Sequence, residues 1–174
     1  MGDLPQTIEL ARHRDLAGRE RHPWVRRVLL ALVALPLVLA LLNVFGQRQE
    51  TLAATAPAAR LTVNAPPRVR GGLLFTIWFD VEARQELKDA QLVLDPGWID
   101  GMQVNSTNPQ PLGEASRDGR IVLDLGHVPA GQSYRAFLEL QVDPTTVGRR
   151  RQDVELDDGS QRILVLHHTM TVFP

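Results

Sequence analysis

Residues 71–81 read Gly-Gly-Leu-Leu-Phe-Thr-Ile-Trp-Phe-Asp-Val, and the alternation in this stretch decides the fold. Leu73, Phe75, Ile77, Phe79 and Val81 fall at every second position, so an extended chain places them on one face. The intervening residues are polar or amphipathic from Thr76 onward, apart from the indole of Trp78. The same period returns at 134–142, where Tyr134, Ala136, Leu138, Leu140 and Val142 share a face and Asp143-Pro144 stops the strand. Strands of this kind bury one side only, so they call for a second apolar layer.

Shorter runs surround these two. Leu61 and Val63 alternate with polar residues; Ala90, Leu92 and Leu94 form a run that ends at Asp95-Pro96-Gly97; Met102 and Val104 are a weak strand. Residues 105–118 are polar, with Pro109, Pro111 and Gly113, and read as a loop. Ile121, Leu123 and Leu125 follow, and Gly126–Gly131 turns the chain. Val154 and Leu156 lead to Asp158-Gly159, a hairpin signal. A last strand is expected over Arg162–Phe173. Together these give seven or eight strands with frequent turns and no helical period. The expected fold is all-β: an immunoglobulin-like antiparallel β-sandwich over 60–174.

The other end of the chain follows different rules. Val28–Phe45 reads VLLALVALPLVLALLNVF and carries no charge. At about 1.5 Å of rise per residue, a helix of roughly 20 residues matches a hydrocarbon core of roughly 30 Å. One transmembrane helix is therefore expected over 25–46, with Pro36 inside it and Trp24, Arg26 and Arg27 at the near interface. A cleaved signal peptide fits less well. Its apolar core would be too long, the preceding region is 27 residues, and Pro57 spoils cleavage after Ala56. Arg12, Arg14, Arg19, Arg21, Arg26 and Arg27 lie on the N-terminal flank, against Arg48 and Arg60 within 15 residues on the other. Positive flanks stay inside, so residues 1–24 are expected as a cytoplasmic tail and the C-terminal domain as extracytoplasmic. Arg26 and Arg27 are the topology-determining pair. Thr7 is a candidate cap for a short helix over Ile8–Ala17, although a solvated tail is the simpler reading. Residues 47–59 are polar, then rich in Ala, Thr and Pro, and read as a linker.

From about Leu61 to Phe173 the chain resembles the bacterial immunoglobulin-like domains of the conserved-repeat kind found in cell-surface and envelope proteins. The resemblance rests on layout: Gly71-Gly72 before a long strand, Leu92-Val93-Leu94 closing on Asp95-Pro96-Gly97, and the turn from Leu125-Gly126 through Ala130-Gly131 into Leu138–Val142 and Asp143-Pro144. It departs before Gly113 and at Arg149-Arg150-Arg151. Such domains are structural or adhesive modules, so the resemblance implies contact and no active site.

The residues themselves offer little chemistry. There are no cysteines, which excludes disulfides, thiolate metal sites and a cysteine nucleophile. From Ala58 onward 15 acids outnumber 12 bases, giving no nucleic-acid footprint. His167 and His168 are adjacent, so on a strand they face opposite ways and cannot share a metal. Asp157-Asp158-Gly159 lacks the spaced ligands of a calcium loop and reads as turn chemistry, while Asp95, Asp100 and Asn105 are a minor candidate set for a cation across one long loop. No nucleophile or phosphate-loop motif is present, and local spacing places no set of carboxylates on one face. No cofactor, metal or small-molecule substrate is expected, and the chain is not expected to be an enzyme.

Contact residues are the remaining candidates. Trp78 and Phe137 lie opposite the apolar faces of their strands. Trp98 follows the Asp-Pro-Gly stop, and is a contact residue if exposed or a plug if buried. Arg149, Arg150 and Arg151 form a basic cluster suited to an acidic partner, wall polymer or lipid headgroups, or to guarding a strand edge. The expected function is that of a single-pass membrane-anchored envelope protein, held in the lipid bilayer by its helix, whose sandwich contacts a membrane or cell-wall protein without catalysis. The alternative is an accessory subunit of an integral membrane enzyme, transporter or channel.

Overall fold

A computed structural model describes residues 22–42, 44 and 48–174. The Arg-rich tail with Arg12, Arg14, Arg19 and Arg21, the candidate helix over Ile8–Ala17, Asn43 and residues 45–47 lie outside the described residues. The chain divides into two units, 1–44 and 45–174.

In the first unit, helix α1 runs His22–Leu41 with Pro36 inside it. It begins three residues before the expected start at 25, and Asn43 and residues 45–46 of the expected span lie outside the described residues. The stretch Pro23–Leu41 has a mean hydropathy of 2.1, none of it is buried, and it is long and apolar enough to cross a membrane. A membrane anchor and a signal sequence both meet that description.

In the second unit the strands in chain order are β1 (Glu50–Thr55), β2 (Ala59–Ala65), β3 (Arg68–Arg70), β4 (Leu74–Ala83), β5 (Leu87–Leu94), β6 (Met102–Asn108), β7 (Gly113–Arg117), β8 (Arg120–Val128), β9 (Ser133–Val142), β10 (Gly148–Arg151), β11 (Val154–Asp158), β12 (Gln161–Leu166) and β13 (Thr169–Phe173). One five-stranded sheet has the order β1-β2-β4-β9-β6 and another β12-β11-β5-β8-β7, while β10-β13-β3 form a small third sheet. All pairings are antiparallel except β13 with β3. The fold is an immunoglobulin-like β-sandwich.

The two quoted alternating runs become β4 and β9, neighbours at the centre of the first sheet. Phe75 pairs with Leu140 and Ile77 with Leu138, and these side chains join Leu92, Leu94, Leu123 and Leu156 of the second sheet in one buried core. Burial alternates residue by residue along both strands, as the pleat requires.

The strand count exceeds the seven or eight expected, and the excess comes from the edges. The stretch 47–59, read as a linker, contains β1, which pairs with β2 from Glu50↔Ala65 to Thr55↔Arg60. The stretch 105–118, read as a loop, supplies most of β6 and all of β7, each an edge strand. Such strands are half solvated and their apolar alternation is weak or absent, so periodicity missed β1 and β7 and reached β6 only at Met102 and Val104. The loop reading also passed over the turn between β7 and β8, where Asp118 (φ 52°) and Gly119 (φ 75°) both take positive φ, as a two-residue type I′ hairpin requires. The single last strand is also corrected. It breaks at His167-His168 into β12, which pairs with β11, and β13, which crosses to the third sheet. Asp158-Gly159 does close the β11–β12 hairpin.

Candidate functional site

The three consecutive arginines all sit on β10, and the pleat turns Arg150 to the opposite face from Arg149 and Arg151. Arg150 turns inward. Its Nη1 donates to the Asp100 carbonyl at 2.6 Å and to Asp100 Oδ2 at 2.9 Å, tying down the loop after β5. Arg151 donates from Nε to Asp153 Oδ2 at 2.6 Å. His167 Nδ1 meets the same oxygen at 2.7 Å. Burial alone would raise the Asp153 carboxyl, but hydrogen bonds and charge from Arg151 and His167 hold it below the usual carboxylate range. Arg149 is exposed and has no ion-pair partner among the described residues. Within the cluster Arg149 is open and unpaired among the described residues, Arg150 is withdrawn to Asp100, and Arg151 is paired with Asp153 while its side chain stays 71% exposed. Asp95 and Asp100, two of the three candidate cation ligands, both face arginines: Asp95 lies 3.4 Å from Arg120, and Asp100 is held by Arg150.

Trp98 is corrected as a surface contact, because it is 1% exposed. The Asp-Pro-Gly stop is a 3-10 turn over Pro96–Trp98 that folds the indole into the end of the core. There Trp98 Nε1 donates to the Asp153 carbonyl at 3.2 Å. Its ring stands edge-on to Phe79 at 5.7 Å between centroids and stacks on His168 at 5.8 Å. Gly97 permits the approach, since a Cβ there would run into the Arg151 backbone carbonyl.

His168 is the buried member of the histidine pair, and neither ring nitrogen has a hydrogen-bond partner in the structure. Burial pushes its pKa below the ordinary 6.5, with Glu50 and Asp153 opposing. The unfolded chain therefore binds a proton as pH falls through about 6.5, while the folded chain does not until lower pH. Stability attributable to this group is complete above 6.5 and declines below it. A melting-temperature series from pH 8 to 5 is expected to fall on the acid side, and His168→Phe, which keeps a stacked ring, should flatten that decline. An unchanged slope in the variant would assign the acid sensitivity elsewhere.

The first sheet's outer face carries the remaining candidates. Register aligns Thr51, Asn64, Trp78, Phe137 and Asn108 in one row across all five strands. Trp78 and Phe137 are directly opposed at its centre. The Arg135 guanidinium lies 5.1 Å from the Trp78 ring centroid and donates to Asp80 Oδ2 at 2.9 Å, so a cation–π contact and an ion pair share one arginine. Phe137 remains 40% exposed. The residue types were readable in sequence. Their alignment was not, because it depends on registers between strands that are 13 to 59 residues apart.

No family model matches the chain. No curated protein matches it either. Among solved structures the fold is similar to AvmM, which catalyses macrocyclization in alchivemycin A biosynthesis, at 8% identity and a TM-score of 0.47 over 74% of this chain and 95% of that one. It is also similar to CaCohA2 from Clostridium acetobutylicum, at 11% identity and a TM-score of 0.44 over 73% and 92%. A third is a non-cellulosomal cohesin from the archaeon Archaeoglobus fulgidus, at 11% identity and a TM-score of 0.39 over the same shares. Likeness at this level carries no argument about function.

Proposed function

We propose that this chain is a single-pass, membrane-anchored protein whose extracytoplasmic β-sandwich works by binding another protein, without catalysis. The observation that carries the reading is the outer face of the β1-β2-β4-β9-β6 sheet, where exposed Phe137 stands beside Trp78 and Arg135. Aromatic and arginine side chains are the types enriched at the energetic centres of protein interfaces. Arg149 adds an open positive charge to the domain. The anchor is supported by α1, which from Val28 to Leu41 is apolar on all sides and gains nothing from water. The excess of arginines before it supports a cytoplasmic N-terminus.

Two experiments test this. A phosphatase reporter fused after Pro174 should be active only outside the cytoplasm, and intact mass of the membrane-extracted chain should include residues 1–44. A cytoplasmic reporter, or a mass lacking the helix, would overturn the anchor or its orientation. For contact, a photo-crosslinking amino acid at position 137 should capture a protein that the same group at Thr145, on a turn, does not. A stoichiometric integral membrane partner would make the chain an accessory subunit. No specific adduct at 137 would remove this face from consideration.

A further inference from the structure

The outer face of the second sheet presents a different chemistry. Along β11, Val154 and Leu156 point into the core, so Glu155 and Asp157 share the outward face. This corrects the expectation that local spacing sets no carboxylates on one face. Outward position does not leave them exposed: both are buried beneath Arg117, Arg120 and Arg162, which reach over from β7, β8 and β12. A recess of about 420 Å³ opens there, lined by Val93, Ser160, these two acids and the arginines.

The two carboxylates are treated unequally. Glu155 has a cation on each oxygen: Oε1 accepts from Arg120 Nη1 at 2.9 Å, and Oε2 lies 3.1 Å from Arg162 Nη2. Asp157 does not. Its nearest cation is Arg117 Nη1, 3.8 Å from Oδ2, which is beyond hydrogen-bonding distance. Its Oδ1 is buried and has no hydrogen-bond partner, although the side chain is only 8% exposed. A carboxylate can accept about four hydrogen bonds, and leaving a buried one without donors is costly. Gln91 does not supply one, since its Nε2 donates to Asp89 and its Oε1 accepts from Arg117.

Charge in the recess is balanced but polarised. Arg117, Arg120 and Arg162 are matched by Glu155, Asp157 and Asp118. A purely cationic or purely anionic ligand therefore meets like charge as well as opposite charge. The negative pole, Asp157, is buried, whereas Arg117 and Arg162 are 52% and 59% exposed at the rim. We propose that this recess binds a free amino acid, whose ammonium group donates to Asp157 while the carboxylate on the same carbon is held by Arg117 and Arg162. Oδ1 is sealed from the surface, so the ammonium donates to Oδ2, which likewise has no hydrogen bond among the described residues, and the guanidinium forks match the carboxylate.

The test uses the full chain in detergent and isothermal titration at neutral pH. Glycine supplies the zwitterion, N-acetylglycine the carboxylate alone and glycinamide the ammonium alone. Glycine should bind, and each single-charge analogue should bind roughly tenfold or more weakly, the factor that losing one charged hydrogen bond implies. Asp157→Asn should abolish glycine binding. It should also raise the melting temperature of the ligand-free chain at neutral pH. Burial and the Glu155 charge raise the Asp157 carboxyl, with the arginines opposing, so its ionisation weakens the fold once pH exceeds the usual carboxylate range. Were Asp157 merely a clasp for the arginines, the same variant would melt lower. Arg162→Gln, on an edge strand, keeps the test decisive if Asp157→Asn folds poorly, because it too should weaken glycine binding. No glycine binding, equal binding of N-acetylglycine or unchanged binding by Asp157→Asn would overturn the proposal.

Discussion

Replacing Trp98 with alanine should destabilise the β-sandwich by about 3–5 kcal/mol, the range for truncating a large buried aromatic. For a unit of this size that lowers the melting temperature by roughly 10–25 °C. The size follows from what the indole does. It fills the end of the core, stands edge-on to Phe79 and stacks on His168, and its N–H is satisfied by the Asp153 carbonyl. Alanine would leave a cavity walled by rigid elements, because the 3-10 turn is anchored from several directions. Gln152 Nε2 donates to the Gly97 carbonyl at 3.1 Å, and the Asp95 amide donates to the Asp153 carbonyl at 3.1 Å. Trp98→Phe is the control. It keeps most of the volume and loses the indole hydrogen bond, and the Asp153 carbonyl still has the Asp95 amide. Its cost should be nearer 1 kcal/mol for the bond, plus a small packing defect. Thermal unfolding followed by the β-sheet circular-dichroism signal distinguishes the two. A Trp98→Ala melting point within a few degrees of wild type would mean that the indole does not occupy the core end.

The reach of the sequence reading can be judged from particular elements. β4 and β9 were visible because each buries one face completely, and the sequence must then alternate. β1 and β7 were not visible, and β6 showed only as the weak run of Met102 and Val104, since an edge strand in partial contact with water is built from residues that a loop would also use. The linker reading of 47–59 failed for that reason. Leu52, Ala54 and Ala56 alternate on the face that packs against the core, but with one large side chain among them the stripe is too weak to stand out from a linker. Trp98 was offered both ways, and only its tertiary surroundings decide for the plug. Arg149–Arg151 looked like one patch because adjacency in sequence resembles adjacency in space. On a strand it means alternate faces, so Arg150 could be withdrawn to Asp100 while Arg149 stayed open. The recess around Asp157 was beyond sequence altogether: Arg117 and Arg120 reach β11 from 40 and 35 residues away. The period that located the strands carries no information about which charged side chains meet across them.

The neighbours Phe137 and Leu138 turn this alternation into a paired test. Leu138 faces the core at 3% exposure, opposite Ile77, so Leu138→Ala should cost about 2–5 kcal/mol and lower the melting temperature accordingly. Phe137 points the other way, opposite Trp78 on the outer face. Phe137→Ala removes a larger side chain but leaves no internal cavity. Its cost should stay below about 1 kcal/mol, the scale of one cross-strand aromatic pair. The expected signature is an inversion. The larger truncation leaves melting almost unchanged and abolishes partner capture through the sheet face, while the smaller one unfolds the domain at a lower temperature. A shift of strand register by one residue would exchange the two positions and reverse both results. Equal destabilisation by the two variants would imply that something covers the outer face, and Phe137 would then be unavailable to a partner. Loss of capture by Phe137→Ala with an unchanged melting point would instead separate binding from folding at a single side chain.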